Sequence, residues 1–120
     1  MLNVTVENIG ELAVVECAGG IVETHSAYKV REAVISQRDA QIVVLELSEV
    51  SAFGGRGLVM LVSLQRSARE HDSRFLLFNP SKSVRSRLER AKSIAEFYIP
   101  SLQEMMALLA YASSRFALAA

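Results

Sequence analysis

The sequence predicts an α/β fold: a mixed sheet of about five strands, with one antiparallel edge strand, and about four helices. Short apolar runs alternate with segments of helical periodicity, which is typical of strand–helix–strand units in a largely parallel sheet. The first two apolar segments are separated only by residues 8–10, which indicates a hairpin and therefore the antiparallel edge. With 120 residues and 51% hydrophobic content, we expect a single domain over residues 1–120.

The expected order of elements is β-β-α-β-α-β-α-β-α. Alternating apolar residues predict two strands, at 2–6 and 12–17, and Gly19-Gly20 then breaks the chain. Apolar residues at helical spacing follow, and either Thr24 or Ser26 is expected to cap this first helix.

The second half of the chain continues the alternation. Ile42-Val-Val-Leu45 is apolar throughout, as expected of a central strand that is covered on both faces. The remaining elements are a helix at 58–71, a strand at 74–78, a short helix at 84–91, a strand at 94–99 and a last helix that Pro100 starts.

The most specific pattern lies in residues 42–62, which read as a strand, a turn with three glycines and an apolar helix. This segment resembles the signature of the STAS domain, the fold of anti-sigma factor antagonists: Leu-Asp-Leu-Ser-x-Val-x-x-(Ile/Met)-Asp-Ser-Ser-Gly-Leu. The residues that match are Leu45, Glu46, Leu47, Ser48, Val50, Phe53, Gly57 and Leu58. Weaker matches at 20–31 and 75–102 extend the resemblance over nearly the whole chain.

In the family, the first serine after the aspartate of this signature accepts a phosphate from a partner kinase. Here the aspartate position is Gly54 and the serine position is Gly55, so the phospho-acceptor is absent. Because a helix is expected to begin near Gly55, a serine there would cap it, and its phosphate would repel a partner. Arg56 replaces a small residue, and we expect it to pair with a partner's carboxylate or, internally, with Glu23 or Glu49.

The resemblance implies a non-catalytic protein-interaction domain in bacterial regulation. Its expected partner is a kinase-like anti-sigma factor or another STAS-containing protein. The expected contact surface comprises Glu23, Thr24, His25, Gly54, Gly55, Arg56 and Val59. Val59 falls on the polar side of its helix, which fits an interaction patch. Two alternatives stay open: a structural STAS subunit of a signalling scaffold or transporter complex, and a small-anion or nucleotide-binding domain that uses the glycine-rich turn.

Composition argues against several other classes of function. The net charge is zero, so nucleic acid is not an expected partner, although eight of the 13 basic residues lie between Arg66 and Lys92. A solvated helix face explains that cluster, and a patch for RNA or for an acidic partner is the alternative. No cofactor, metal site or catalytic residue is expected, because His25, His71 and Cys17 have no ligand cluster or base around them.

The two ends of the chain complete the expectations. The first residues carry neither a charged n-region nor an apolar h-region, and no apolar run approaches the roughly 18 residues of a membrane span. We therefore expect a cytoplasmic protein without direct membrane insertion. The last helix carries only Glu104 and Arg115 as charges, and its apolar residues exceed one narrow stripe. Either a homodimer through this C-terminal helix, a partner domain or the far edge of the sheet would cover it.

Overall fold

The computed structural model describes residues 1–37 and 39–119, and the side chains of that range as far as Ser113. It is an α/β fold in which one mixed sheet is covered by helices on both faces. The elements are β1 (Asn3–Ile9), β2 (Leu12–Ile21), α1 (Thr24–Ile35), β3 (Ile42–Phe53), α2 (Gly55–Glu70), β4 (Arg74–Phe78), α3 (Lys82–Arg90) and α4 (Leu102–Ala119).

The sheet has the strand order β1-β2-β3-β4. The edge strand β1 is antiparallel to β2, and β2, β3 and β4 are parallel, which confirms the mixed sheet with one antiparallel edge. The sequence placed a break at Gly19-Gly20, but β2 continues through both residues to Ile21. Gly19 makes this possible because it adopts a positive φ of 121°. The register between β2 and β3 shifts between Gly19 and Gly20. A Cβ there would lie 2.1 Å from the Met1 backbone oxygen, so only glycine fits.

Three helices, α1, α2 and α3, cover one face of the sheet. Alternate residues of a strand point to opposite faces, so Val43 and Leu45 of β3 pack beneath these helices while Val44 points away. The helices bury one apolar stripe each against that face, with Val30 on α1, Leu61 on α2 and Leu88 on α3. This arrangement explains why the first part of the central strand, residues 42–45, has no polar residue.

The last helix, α4, covers the opposite face of the sheet instead of its far edge. Met105 and Ala112 of α4 pack against Leu12, Val44 and Leu76, one residue from each of β2, β3 and β4. The side chains that remain exposed on α4 include Leu102, Met106 and Tyr111. A homodimer through these residues stays a prediction.

The fifth strand predicted at residues 94–99 is wrong, and the sheet of the described chain has four strands. Ile94–Glu96 instead form a 3₁₀ turn, so the backbone groups of this stretch bond within the turn. Pro100 has no N–H with which to continue a ladder. A single bridge to β4 remains, in which the Tyr98 oxygen accepts a hydrogen bond from the Leu77 N–H at 3.0 Å. The apolar pattern correctly indicated that this stretch contains a buried residue, Phe97, but burial does not show that the backbone pairs with a neighbouring strand.

Candidate functional site

The candidate site lies at the carboxyl ends of two neighbouring parallel strands, β2 and β3. The last residues of these strands, Ile21 and Phe53, are paired, so the two strand-to-helix connections leave the sheet side by side. The Gly54 N–H donates to the Ile21 oxygen at 3.0 Å and ties the two connections together. The helices α1 and α2 therefore begin next to each other at the same end of the sheet.

A groove between α1 and α2 collects most of the residues that the sequence singled out. We define the α1–α2 groove by Thr24 on α1, by Gly54, Gly55 and Arg56 at the turn, and by Val59 on α2. Glu23 and His25 lie at the start of α1, where both are exposed, but they do not line the groove. Whether these seven residues bind a partner stays a prediction.

The glycines of the β3–α2 turn differ in the space around them. A Cβ on Gly55 would have no atom within 4 Å, and one on Gly54 would make an ordinary contact with Val22 at 3.5 Å. A Cβ on Gly57 would lie 2.5 Å from the Phe53 ring. Only Gly57 is therefore required to be glycine by packing, and a serine at Gly55 would fit without any rearrangement.

Neither helix at the groove has a side-chain cap. The N-cap of α1 is Glu23, so the expectation of a cap from Thr24 or Ser26 was wrong. The N-cap of α2 is Gly54, and Gly55 is the first helical residue. Gly55, which the resemblance aligns with the phospho-acceptor, is thus in the first turn and not at the cap, contrary to the expectation from the sequence. The first N–H groups of both helices have no side-chain acceptor from a cap residue.

The groove also contains exposed apolar side chains. Val59 is 69% exposed, as its position on the polar side of the helix predicted. Sequence reasoning missed Tyr28, which is 57% exposed, and Val22, which is 48% exposed. The available signal for Tyr28 was an aromatic residue outside the apolar stripe of α1. Met60, the residue after Val59, is buried beneath the groove.

Two further arginines line the groove and were also missed. Arg31 comes from α1 and Arg87 from α3, and both join Arg56 around the same opening. The sequence assigned Arg87 to a solvated helix face, but its Nε is buried and has no hydrogen-bond partner. Nothing in the sequence distinguishes these two residues from other surface arginines, because helix packing alone brings them to the groove.

Two potentially nucleophilic side chains of the sheet, Ser48 on β3 and Cys17 on β2, are held in structural roles. The Glu46 carboxylate accepts hydrogen bonds from the Ser48 N–H at 2.7 Å and from the Ser48 hydroxyl at 2.9 Å. Burial and, to a smaller extent, the charge of Glu46 raise the pKa of the Cys17 thiol to about 12, so the thiol stays protonated at neutral pH. Neither residue is activated for nucleophilic chemistry.

The described residues contain neither a candidate metal site nor a candidate membrane span. The histidine, cysteine and carboxylate side chains form no group of three or more that could hold a metal ion. Within the same part of the chain, every helix is too short or too polar to cross a bilayer.

A family model described as the STAS domain matches residues 3–105 of the chain. No curated protein sequence matches at a significant level. Among solved structures, an anti-sigma factor antagonist from Mycobacterium paratuberculosis has a TM-score of 0.77 at 19% identity, over 91% of this chain and 94% of that chain.

Two structures of the anti-sigma factor antagonist SpoIIAA are also similar. The unphosphorylated form has a TM-score of 0.71 at 15% identity, over 87% of this chain and 93% of that chain. The phosphorylated form, described as a Bacillus cell fate determinant, has a TM-score of 0.67 at 15% identity, over 89% of this chain and 99% of that chain. At these identities the likeness shows a common fold.

Proposed function

The chain belongs to the STAS domain family, and we propose that it is a non-catalytic regulatory protein-interaction domain of the anti-sigma factor antagonist type. Its partner is a kinase-like anti-sigma factor or another STAS-containing protein in the bacterial cytoplasm. The observation that carries this proposal is the exposed apolar side chain of Val59, which lies beside an exposed turn at Gly55 and Arg56. Apolar side chains grouped next to an exposed turn are typical of a docking surface.

The proposed contact surface follows the start of both groove helices. Thr24 contributes from α1, and Gly54, Gly55, Arg56 and Val59 contribute from the turn and α2. Glu23 and His25 lie at its edge. Fold similarity to anti-sigma factor antagonists supports this choice of partner class.

We further propose that phosphorylation at the usual position does not switch the binding. SpoIIAA is known in unphosphorylated and phosphorylated forms. In this chain the resemblance to the family signature aligns Gly55 with the phospho-acceptor serine, and glycine has no hydroxyl. The nearby Ser48 hydroxyl donates to both oxygens of Glu46, and Ser48 is partly buried in β3, so it is a poor kinase substrate. Binding is then controlled by the amounts of the two proteins instead of by modification of this turn.

The binding surface is tested with purified kinase-like anti-sigma factors of the source organism, each titrated with the domain by calorimetry. We expect one of them to bind, and Val59→Asp to weaken that binding by about 2 kcal/mol or more, because a carboxylate replaces an apolar contact. Met106→Asp is the matched control, since Met106 is also a largely exposed apolar residue, on α4. Binding lost with Met106→Asp and kept with Val59→Asp would place the interface on α4 and refute the proposal.

Phosphorylation is tested by mass spectrometry after incubation with the bound kinase and ATP. We expect no phosphate on the wild-type chain and phosphate on the Gly55→Ser variant, for which the turn has room. Gly55→Asp should weaken binding with little loss of stability, because a first-turn carboxylate favours the helix dipole but would be desolvated at an interface. Phosphate on Ser51 of the wild-type chain would show that the switch has moved to another residue.

A further inference from the structure

The α1–α2 groove has an unbalanced positive charge. Arg31, Arg56 and Arg87 come from three different helices, and none of the residues that line the groove is acidic. Within the described part of the chain, none of the three arginines forms an ion pair with a carboxylate. The expected internal pairing of Arg56 with Glu23 or Glu49 is therefore not formed.

The position of Arg56 makes the absence of a partner more informative. Arg56 lies in the first turn of α2, where the positive end of the helix dipole disfavours a cation. The dipole of α1 adds to the same positive potential, because α1 begins beside α2. The acidic residue of α1, Glu32, accepts a hydrogen bond from the Tyr28 hydroxyl at 2.8 Å and does not line the groove.

The arginines share the groove with apolar side chains. Val22, Tyr28 and Val59 are three of the large apolar residues that the described chain exposes, and they share this groove with the buried Met60. A free phosphate or other small anion would pair with the arginines but would leave these apolar side chains in water. A ligand that satisfies both parts of the groove must carry carboxylates around an apolar side chain.

We infer that the α1–α2 groove binds an acidic segment of a protein partner, with an apolar side chain of that segment between Tyr28 and Val59. Carboxylates on either side of the apolar residue pair with Arg31, Arg56 and Arg87, whose planar guanidinium groups suit paired hydrogen bonds to a carboxylate. This inference rests on the proposed function and specifies the chemistry of the partner at the same surface.

The test uses ¹⁵N-labelled domain and three probes: a synthetic peptide of sequence Asp-Glu-Leu-Asp-Glu-Phe-Asp-Glu, the same peptide with lysine at every acidic position, and inorganic phosphate. We expect the acidic peptide to shift the amide signals of residues 22–31 and 54–63, and the lysine peptide to leave them unchanged. Arg56→Ala and Arg31→Ala should each raise the Kd of the acidic peptide by about tenfold, the usual effect of losing a hydrogen bond to a charged group.

Arg85→Ala is the matched control, because Arg85 is an exposed arginine of α3 that does not line the groove. It should change the Kd of the acidic peptide by less than about twofold, since its charge is screened by solvent. Arg87 is partly buried, so Arg87→Lys is used in place of alanine, and a thermal melt reports whether the variant is folded.

Several results would overturn the inference. Equal binding of the acidic and lysine peptides, or shifts confined to another surface, would remove the groove as an acidic docking site. If phosphate alone reproduced the shifts and competed with the peptide, the groove would be a small-anion site. If an anti-sigma factor bound in a manner that depends on Val59 but not on the three arginines, the inference would fail while the proposed function stood. If binding of the acidic peptide depended on the arginines but no anti-sigma factor bound, the inference would stand and the proposed function would fail.

Discussion

The helices that begin at the α1–α2 groove and the helices that follow β4 start in different ways. The N-caps of α1 and α2, Glu23 and Gly54, make no side-chain hydrogen bond to the helix. At α3 the Ser81 hydroxyl oxygen accepts a hydrogen bond from the Val84 N–H at 3.4 Å. The two groove helices thus lack the side-chain acceptor that α3 has.

The start of α4 is capped more completely. The Ser101 hydroxyl oxygen accepts from the Glu104 N–H at 3.1 Å, and the Glu104 carboxylate accepts from the Ser101 N–H at 2.9 Å. This reciprocal pair is a capping box, and the Tyr98 hydroxyl donates to the same carboxylate at 2.9 Å. The sequence Ser-Leu-Gln-Glu at residues 101–104 has the required spacing.

This difference between the helix starts indicates which of them contribute to stability and which have N–H groups available for binding. Each helix start has N–H groups without intrahelical acceptors. At α3 and α4 the chain supplies acceptors itself, which fixes those helices without help from other molecules. At α1 and α2 the corresponding groups are left to water or to the carboxylates of a partner. The groove therefore has backbone N–H donors and arginine side chains that are available for binding. Because no side chain caps α2, packing must hold the start of this helix in place.

The largest expected effect tests whether packing holds α2 in place of a cap. Gly57→Ala should lower the free energy of unfolding by about 1–3 kcal/mol, because the new Cβ would lie 2.5 Å from the Phe53 ring and the ring must move. Chemical denaturation measures this change. Gly55→Ala is the matched control from the same turn, where a Cβ meets nothing within 4 Å. Equal stability of the two variants would contradict the packing explanation.

The next effect compares a capped helix with an uncapped one. Ser101→Ala should lower the free energy of unfolding by about 1 kcal/mol, since the Glu104 N–H loses its acceptor. Thr24→Ala, at the start of α1, should change stability by less than about 0.5 kcal/mol, because Thr24 makes no capping hydrogen bond. A larger loss from Thr24→Ala than from Ser101→Ala would reverse the comparison.

A smaller effect is expected when a cap is added to the groove. Gly54→Ser should raise stability by a few tenths of a kcal/mol, because Gly54 already has the extended conformation of an N-cap and space for a Cβ. The affinity for the acidic peptide should fall at the same time, because the serine oxygen would accept a hydrogen bond from a backbone N–H of α2 that would otherwise donate to the peptide. Unchanged affinity would show that the backbone donors of α2 do not contribute to binding.

Much of this fold follows from the apolar pattern of the sequence. The alternation in 2–6 and the apolar runs at 42–45 and 74–78 specified three strands, because burial on one face or both leaves a clear pattern. The same reasoning failed at 94–99, where Phe97 is buried but most of the backbone is not paired. Burial is visible in the sequence, whereas hydrogen-bond pairing also depends on where the rest of the chain places a partner strand.

The candidate site was predictable where the family resemblance marked it, at Thr24 and in the glycine-rich turn with the helix that follows. Gly54, Gly55, Arg56 and Val59 lie within one turn and the helix that follows, so a single motif placed them together. Arg31 and Arg87 could not be found, because they are distant in sequence and meet Arg56 only through helix packing. The charge of the groove is thus a property of the fold and not of any motif.

The smallest expected effect concerns the pH dependence of the α4 cap. The pKa of Glu104 lies below its ordinary value of 4.5, mainly because the Ser101 N–H donates to the carboxylate, with the Tyr98 hydroxyl as a second donor. A carboxyl with a lowered folded pKa stabilises the fold above its unfolded pKa, and this contribution is lost as the pH falls through the folded value.

Glu104→Gln keeps an acceptor for the Ser101 N–H but does not titrate, so it isolates this contribution. We expect a Tm slightly below that of the wild-type chain at neutral pH, and a smaller fall in Tm on acidification through the carboxyl range. The difference between the two proteins should vanish at the lowest pH, where Glu104 is protonated. Glu23→Gln is the control at the start of α1, where the Glu23 side chain makes no capping hydrogen bond, and it should leave the Tm at neutral pH almost unchanged. Parallel acid curves for the wild-type chain and Glu104→Gln would mean that the hydrogen bonds of this capping box do not depend on its charge.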